Sequence, residues 1–220
     1  KNNRILITAG PTWVPIDKAR VISNIASGQT GFILAEKLKK LGAKVTLLLG
    51  PGNFCGCQTG VRVARFKYYS ELARLLDREL KNQKFAAVIH TAAVSDYQPK
   101  GIIRRKVSSL RKGWRINLVP TKKLINTLRI YQPDLFTAGF KFEPDANKNK
   151  LIEKGVALLK AANLNLVVAN SDKNRGYQAY ILDGQNKYGP FLNKTKMAVY
   201  LARLIEKSIG QAVIPAKAGI

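Results

Sequence analysis

The stretch RVISNIASGQTG, residues 20–31, sits between an apolar run, RILITAG, and an amphipathic one, FILAEKLKKLGA. A nucleotide-binding chain carries its phosphate loop at such a place, yet this one reads neither G-x-G-x-x-G nor a Walker sequence. Gly28 and Gly31 let backbone come close to a phosphate or carboxylate. Ser27 can cap the helix that follows, and a helix amino terminus favours an anion. Asn24 adds an amide that both donates and accepts. It is neither base nor nucleophile, but it can hold an acyl or phosphoryl oxygen as charge develops there. On spacing alone, a simple capped turn accounts for the same residues equally well.

Other segments could share the chemistry. AGPT (9–12), TAAVSDY (91–97), AGFKFE (138–143) and ANSDKNRG (169–176) each follow an apolar run and are rich in small and polar residues. In open α/β sheets, ligands bind beyond the carboxyl ends of strands, near the switch point. His90 is the sole histidine and ends the apolar run FAAVIH. It reads as a satisfied strand-end histidine, and no nucleophile motif accompanies it for a triad. Cys55 and Cys57 are separated by one residue, unlike a C-x-x-C redox or zinc pair, and no second Cys/His cluster completes a metal site. They read as a reduced loop pair.

The elements that must position these residues alternate along the chain. Strands are expected at 4–9, 44–50, 61–66, 85–92, 135–141, 164–169 and 179–184. Helices are expected at 29–41, stopped by Gly42, then at 71–82 capped by Ser70, and at 122–131 and 147–162, with a last one over KTKMAVYLARLIEKSI. This rhythm predicts an α/β fold: a Rossmann-like, mostly parallel sheet with helices on both faces. Residues 95–120 interrupt it. They are basic and punctuated by Gly and Pro, and they close on a short alternating strand, WRINLV. Such an insert reads as a functional flap held by few buried contacts. One domain is expected over 1–208, with a disordered tail over 209–220.

With 220 residues, 46% of them hydrophobic, the chain can bury a substantial core. No apolar run approaches the length of a membrane span, and the apolar start is too short for a signal peptide, so a cytoplasmic protein is expected. Lys and Arg number 38 against 13 Asp and Glu, a net charge of +25. Anionic partners follow. The basic residues are scattered rather than clustered and the aromatics are dispersed, which disfavours a nucleic-acid-binding module. A Rossmann-type NAD(P)-dependent oxidoreductase would need G-x-G-x-x-G after the first strand and an acidic residue after the second. AGPTWV and LLLGPG supply neither.

The pattern ITAGPT..PID..R.ISN.ASG..G..LAE resembles the opening of the phosphopantothenate–cysteine ligases of coenzyme A biosynthesis. TAAVSDY, RKVSS followed by WRINLVPT, AGFKFE and LNLVVANS resemble later motifs of that family, in the same order, so the likeness runs from residue 4 to about 207. Ala26 stands where the family has the first serine of S-N-x-S-S-G, and Trp13 stands where a basic residue is common.

The resemblance implies a ligase that joins cysteine to 4′-phosphopantothenate through an acyl-nucleotide. CTP is the expected co-substrate, with ATP the alternative, and Mg²⁺ is carried on the triphosphate rather than by side chains. By motif match, Asn24 and Lys106 carry the catalysis. Gly10, Arg20, Asn24, Ser27 and Gly28 border phosphopantothenate, Arg20 as a phosphate contact or a structural salt bridge. Ala92, Ala93, Asp96, Lys106, Thr121, Lys122 and Phe140 line the nucleotide. Lys160 is the nearest counterpart of the lysines the family carries on the helix before LNLVVAN. The resemblance also implies a homodimer, with residues 95–120 near its two-fold axis, and a phosphopantothenoylcysteine decarboxylase fused to or associated with the chain.

Overall fold

RILITA and KVTLLL are unbroken by Gly, Pro or charge after their first residue, so each can be covered on both faces. In the computed structural model, which describes residues 3–52, 60–172 and 176–211, they form β1 (Arg4–Ala9) and β4 (Lys44–Leu49). Every residue after the first is buried in both. Around them lie β5 (Arg62–Arg65), β6 (Ala87–His90), β9 (Phe136–Phe142), β10 (Leu166–Ser171), β11 (Gln178–Leu182) and β12 (Lys187–Phe191). The eight strands run in the order β12-β11-β10-β9-β6-β1-β4-β5. All are parallel except β11 and β12, which fold back as antiparallel neighbours.

From β1 the chain builds outward through β4 and β5, then returns to place β6 on the other side of β1. The switch point therefore falls between β1 and β6, and their carboxyl ends flank the crevice where such sheets bind ligands. Helices α1 (Gln29–Lys40) and α4 (Lys194–Gln211) cover one face, packing Leu34, Leu38, Leu201 and Ile205 with Ile5, Ile7, Val45 and Ile89. On the other face, α2 (Tyr69–Asn82) packs Leu72, Leu76 and Leu80 on Leu6, Leu48 and Val88. There α3 (Lys148–Ala161) sets Leu151 among Ala169, Tyr180 and Leu182. The result is the expected Rossmann-like α/β fold. Among the described residues no helix is long and apolar enough to cross a membrane.

Several local expectations are corrected. The helix expected over 122–131 is a single 3₁₀ turn, Leu124–Thr127, in which the Thr127 hydroxyl donates to Leu124 O at 2.8 Å. Ile, Asn and Thr side by side favour such local side-chain bonds over helix propagation. Ser70 lies inside α2. The helix amino end is organised by Glu71, whose carboxylate accepts from the N–H groups of Lys67 (2.7 Å) and Tyr68 (3.2 Å). WRINLV contributes only its end to a strand, β8 (Leu118–Pro120), which pairs with β7 (Tyr97–Pro99). A hairpin of β2 (Trp13–Pro15) and β3 (Val21–Ser23) was not expected, since three residues carry no period. Gly42, at φ 86°, stops α1 as expected. Cys55, Cys57 and residues 212–220 lie outside the described residues; α4 itself continues to Gln211.

The first turn of α1 rests directly on the sheet. A Cβ on Gly31 would lie 2.4 Å from Ala9 Cβ and 2.8 Å from the Thr91 hydroxyl. Gly31→Ala should therefore destabilise the domain by about 1–3 kcal/mol, overpacking outweighing the better helix propensity of alanine. Gly113→Ala, with nothing within 4 Å, should change stability by no more than about 0.5 kcal/mol. Urea midpoints of the two variants check this; equal midpoints would remove the close approach from the account.

Candidate functional site

Beyond the last residues of β1 and β6 the chain leaves the sheet, yet its backbone polar groups still need partners. The two loops supply them to each other. Thr91 donates to Thr8 O through its N–H (3.0 Å) and its hydroxyl (2.8 Å). Ala93 N–H donates to Gly10 O (3.0 Å), and Thr12 N–H donates to Ala93 O (3.2 Å). Thr12 and Ser95 are buried and interlock. Ser95 N–H donates to Thr12 Oγ1 (2.9 Å), the Thr12 hydroxyl to Ser95 Oγ (3.1 Å), and the Ser95 hydroxyl to Thr12 O (3.1 Å). This zipper joins AGPT to TAAVSDY at the switch point.

The stretch 20–31 closes over it. Asn24 donates from its amide nitrogen to Ala93 O (3.2 Å) and Val94 O (3.1 Å). Its hydrogens are therefore engaged by protein carbonyls, which residue type alone could not disclose. Gly10 and Gly28 both have left-handed φ, 82° and 80°. A Cβ on Gly28 would come within 3.3 Å of Gly10 N, so the two turns meet backbone to backbone. Gly28, not Ser27, occupies the cap position of α1. The Ser27 hydroxyl accepts only from Gln29 N–H, at 3.3 Å, and the first turn has no acidic residue. Gly28 takes the cap position because the left-handed turn there requires glycine. With no side-chain cap, the partial positive charge at this helix end stays available to an anion.

The residues expected from the sequence to line a nucleotide gather on the same edge, Lys160 excepted. Ala92 N–H donates to the Thr8 hydroxyl (3.3 Å). Asp96 is exposed and pairs with Lys123 at 2.5 Å, while its backbone oxygen accepts from Thr121 N–H. Thr121 is buried and its hydroxyl donates to Ser95 O (2.6 Å), so it ties β8 to the loop rather than offering a free hydroxyl. The exposed Lys122 is fixed through its carbonyl, which accepts from the Tyr69 hydroxyl (2.7 Å). Phe140 lies one residue beyond the Gly139–His90 pairing of β9 with β6.

Arg20 resolves as a salt bridge, with Nη1 at 2.7 Å from Asp17 Oδ2. Its guanidinium also lies 5.3 Å from the Trp114 ring centroid. Lys106 is exposed, but its neighbour Val107 is buried and hydrogen-bonded to Asp17. The insert is thus anchored at a point where few buried contacts were expected. Lys160 is not part of the site. It lies at the carboxyl end of α3, and five residues further on Asn165 N–H donates to Thr137 O at the start of β9, so this end of the helix sits at the opposite edge of the sheet. A helix that returns antiparallel to its strands puts only its first turns at the carboxyl edge. There Lys141 bonds Glu143 (2.8 Å) and, with Lys150 and Lys154, holds the Glu143 carboxyl below its ordinary range. Neither these lysines nor Asp17, Thr12 and Ser95 were singled out from the sequence; Thr12, Asp17, Ser95 and Lys141 stood inside quoted motifs, without an assigned role.

Taken together, the edge offers backbone donors, an uncapped helix terminus and several cations, and no activated nucleophile among the described residues. It suits two anionic reactants brought together. Among the described residues no group of three or more His, Cys, Asp or Glu side chains could hold a metal ion. The end of β4, Leu49 followed by Gly50, carries no carboxylate for a ribose.

Residues 1–209 match the DNA/pantothenate metabolism flavoprotein C-terminal domain. The chain is 32% identical, over 216 residues, to the coenzyme A biosynthesis bifunctional protein CoaBC of Thermococcus kodakarensis, covering 95% of this chain and 52% of that protein. It therefore spans about half the length of the curated relatives it matches. A crystal structure of the C-terminal domain of a CoaBC superposes with a TM-score of 0.76 at 27% identity, covering 95% of this chain and 96% of that one. The DNA/pantothenate metabolism flavoprotein of Streptococcus pneumoniae has the same fold, with a TM-score of 0.82 at 21% identity over 93% of this chain and 99% of that one.

His90 makes the zipper's base sensitive to acid. Its Nδ1 is 2.9 Å from the Thr8 hydroxyl, and burial pushes the imidazole down to about 4. An unfolded histidine titrates near 6.5, so between these values the unfolded chain binds a proton that the fold refuses. Stability should therefore fall as pH drops from 7 to 5, by about 2 kcal/mol. In His90→Gln that slope should vanish. Denaturation midpoints at both pH values check it, above the range where carboxylates titrate; a flat wild-type profile would contradict it.

Proposed function

Because the chain belongs to the DNA/pantothenate metabolism flavoprotein C-terminal domain family, we propose that it joins cysteine to 4′-phosphopantothenate, a step of coenzyme A biosynthesis. The observation that carries this reading is the zipper of AGPT with TAAVSDY beside the uncapped start of α1. It joins the loop proposed to receive carboxylate and phosphate to the loop proposed to receive the nucleotide, at the switch point where such sheets bind ligands.

The proposed chemistry has two halves. A carboxylate oxygen of phosphopantothenate attacks the α-phosphorus of the triphosphate and pyrophosphate leaves. The cysteine amine then attacks the acyl carbon, loses a proton, and the nucleoside monophosphate leaves with that oxygen. Gly10, Ser27, Gly28 and the α1 terminus receive the substrate's phosphate, with Arg20 bordering them. Ala92, Ala93, Asp96 and Phe140 receive the nucleoside. Releasing Asp96 from Lys123 is cheap, since exposed ion pairs contribute only about 0–1 kcal/mol. Lys106 faces the charge that moves to pyrophosphate, and Lys141, Lys150 and Lys154 take the place expected of Lys160. Mg²⁺ would arrive on the triphosphate and neutralise part of its charge.

Asn24 needs a free hydrogen to stabilise an oxyanion. Ala93 O can release it at little penalty, since that oxygen keeps the Thr12 N–H. One hydrogen of Asn24 then passes to the reacting oxygen while Val94 O holds the other. CTP is the proposed nucleotide. The exposed Tyr97 and Leu118 on the β7–β8 ribbon favour a homodimer through that ribbon. In a bifunctional relative, the length this chain does not span leaves room for the decarboxylase.

Pyrophosphate should appear only with phosphopantothenate and a nucleotide together, and faster with CTP than with ATP. Inactivity with all four triphosphates at adequate Mg²⁺ would end the ligase reading. Asn24→Ala should lower turnover about a hundredfold, the equivalent of about 3 kcal/mol, with nucleotide affinity nearly unchanged. Quenched reactions should show acyl-nucleotide accumulating on that variant; wild-type turnover would return Asn24 to a purely structural role.

A further inference from the structure

The Asp17 side chain is fully buried, and the reaction above assigns it nothing. Its Oδ1 accepts from the N–H groups of Ala19 and Arg20, both at 2.8 Å. Its Oδ2 accepts from Arg20 Nη1 (2.7 Å) and from Val107 N–H (3.0 Å). The same Arg20 nitrogen donates to Val107 O at 3.3 Å. The ion pair therefore grips both polar groups of one flap residue, 87 to 90 positions away in sequence. A second tie, from Ile103 N–H to Ile16 O (3.2 Å), fixes the flap just upstream, and Arg20 leans on Trp114 just downstream. Val107 buries its side chain at this point, and Lys106 is the next residue back.

We infer that Asp17 is a positioning residue for Lys106: with Arg20 it clamps the Val107 backbone and so fixes where the flap cation stands during nucleotide activation. The inference rests on the role proposed above for Lys106. The Val107 N–H is the largest of the influences that hold the Asp17 carboxyl below the ordinary carboxylate range, in keeping with a clamp made by the ionised form. The clamp also couples the loop proposed to border phosphopantothenate to the flap proposed to cover the triphosphate, through Arg20, without any contact between the two substrates.

Asp17→Asn presents an amide where Oδ2 met two donors, and Val107→Pro removes the flap's N–H while leaving the Asp17–Arg20 pair whole. Hydrogen exchange at Val107 in Asp17→Asn, and tryptic cleavage after Arg104 and Arg105 in both variants, should be at least about tenfold faster than in the wild type. In single-turnover quench reactions, acyl-nucleotide formation should slow about tenfold in both variants, while its consumption by cysteine stays within about twofold. A merely structural role would leave that split absent. Unchanged exchange and cleavage, or a loosened flap with an unchanged activation rate, would overturn the inference. If the wild type releases no pyrophosphate, it is the ligase reading that fails, and exchange at Val107 still decides whether the clamp exists.

Discussion

Two parallel strands that end side by side at a switch point leave their outgoing backbones without sheet partners, and here the interlocked hydroxyls of Thr12 and Ser95 meet that need. Each is buried, and each bonds the other's side chain and backbone. The rest of the site is hung on this junction. Asn24 reaches across to Ala93 and Val94, the Thr121 hydroxyl closes on Ser95 O, and the Ser23 hydroxyl donates to Thr12 O. Buried hydroxyl and peptide groups satisfied in this way fix geometry, because any slip would leave one of them unpaired in a medium that penalises it.

On that frame the electrostatics follow a simple division. Rigid, neutral groups stand near the switch point: peptide N–H groups and the open start of α1, beside the Asn24 amide that Ala93 O and Val94 O hold in place. Cations sit on the margins, where they can be rearranged: Lys123 on Asp96, Lys141 on Glu143, and Lys106 on the flap. Fixed dipoles stabilise developing charge without reorganising, whereas mobile cations admit and release highly charged reactants. Among the described residues two acids are withdrawn from solvent within ion pairs, Glu79 with Arg62 and Arg78, and Asp17 with Arg20; of these, Asp17 holds the loop after β2 to the flap.

Much of this arrangement could be read from residue order. The unbroken apolar runs gave β1, β4 and β6 and hence the switch point, and AGPT, TAAVSDY and AGFKFE fall on its edge. Where the reading failed, the cause was a competing local force. Ser27 looks like a cap, but the left-handed turn there requires glycine, so Gly28 holds the position. Lys160 lies on the right helix but at its wrong end, a fact carried by topology rather than composition. The partners of Asn24 and the grip of Asp17 on Val107 join residues far apart in the chain, and no periodicity encodes them. Short pieces such as β2 and β3 exist because they pair with each other, with Trp13 N–H donating to Lys67 O, not because three residues prefer to be extended.

The central claim is that this edge brings a carboxylate directly onto the α-phosphorus of a nucleotide. Oxygen transfer tests it without relying on any variant. With phosphopantothenate carrying ¹⁸O in its carboxylate, the account predicts one labelled oxygen in the nucleoside monophosphate released after cysteine attack, and none in the pyrophosphate. Label in inorganic phosphate, which would signal attack at the terminal phosphorus, or no transfer to the monophosphate at all would contradict it.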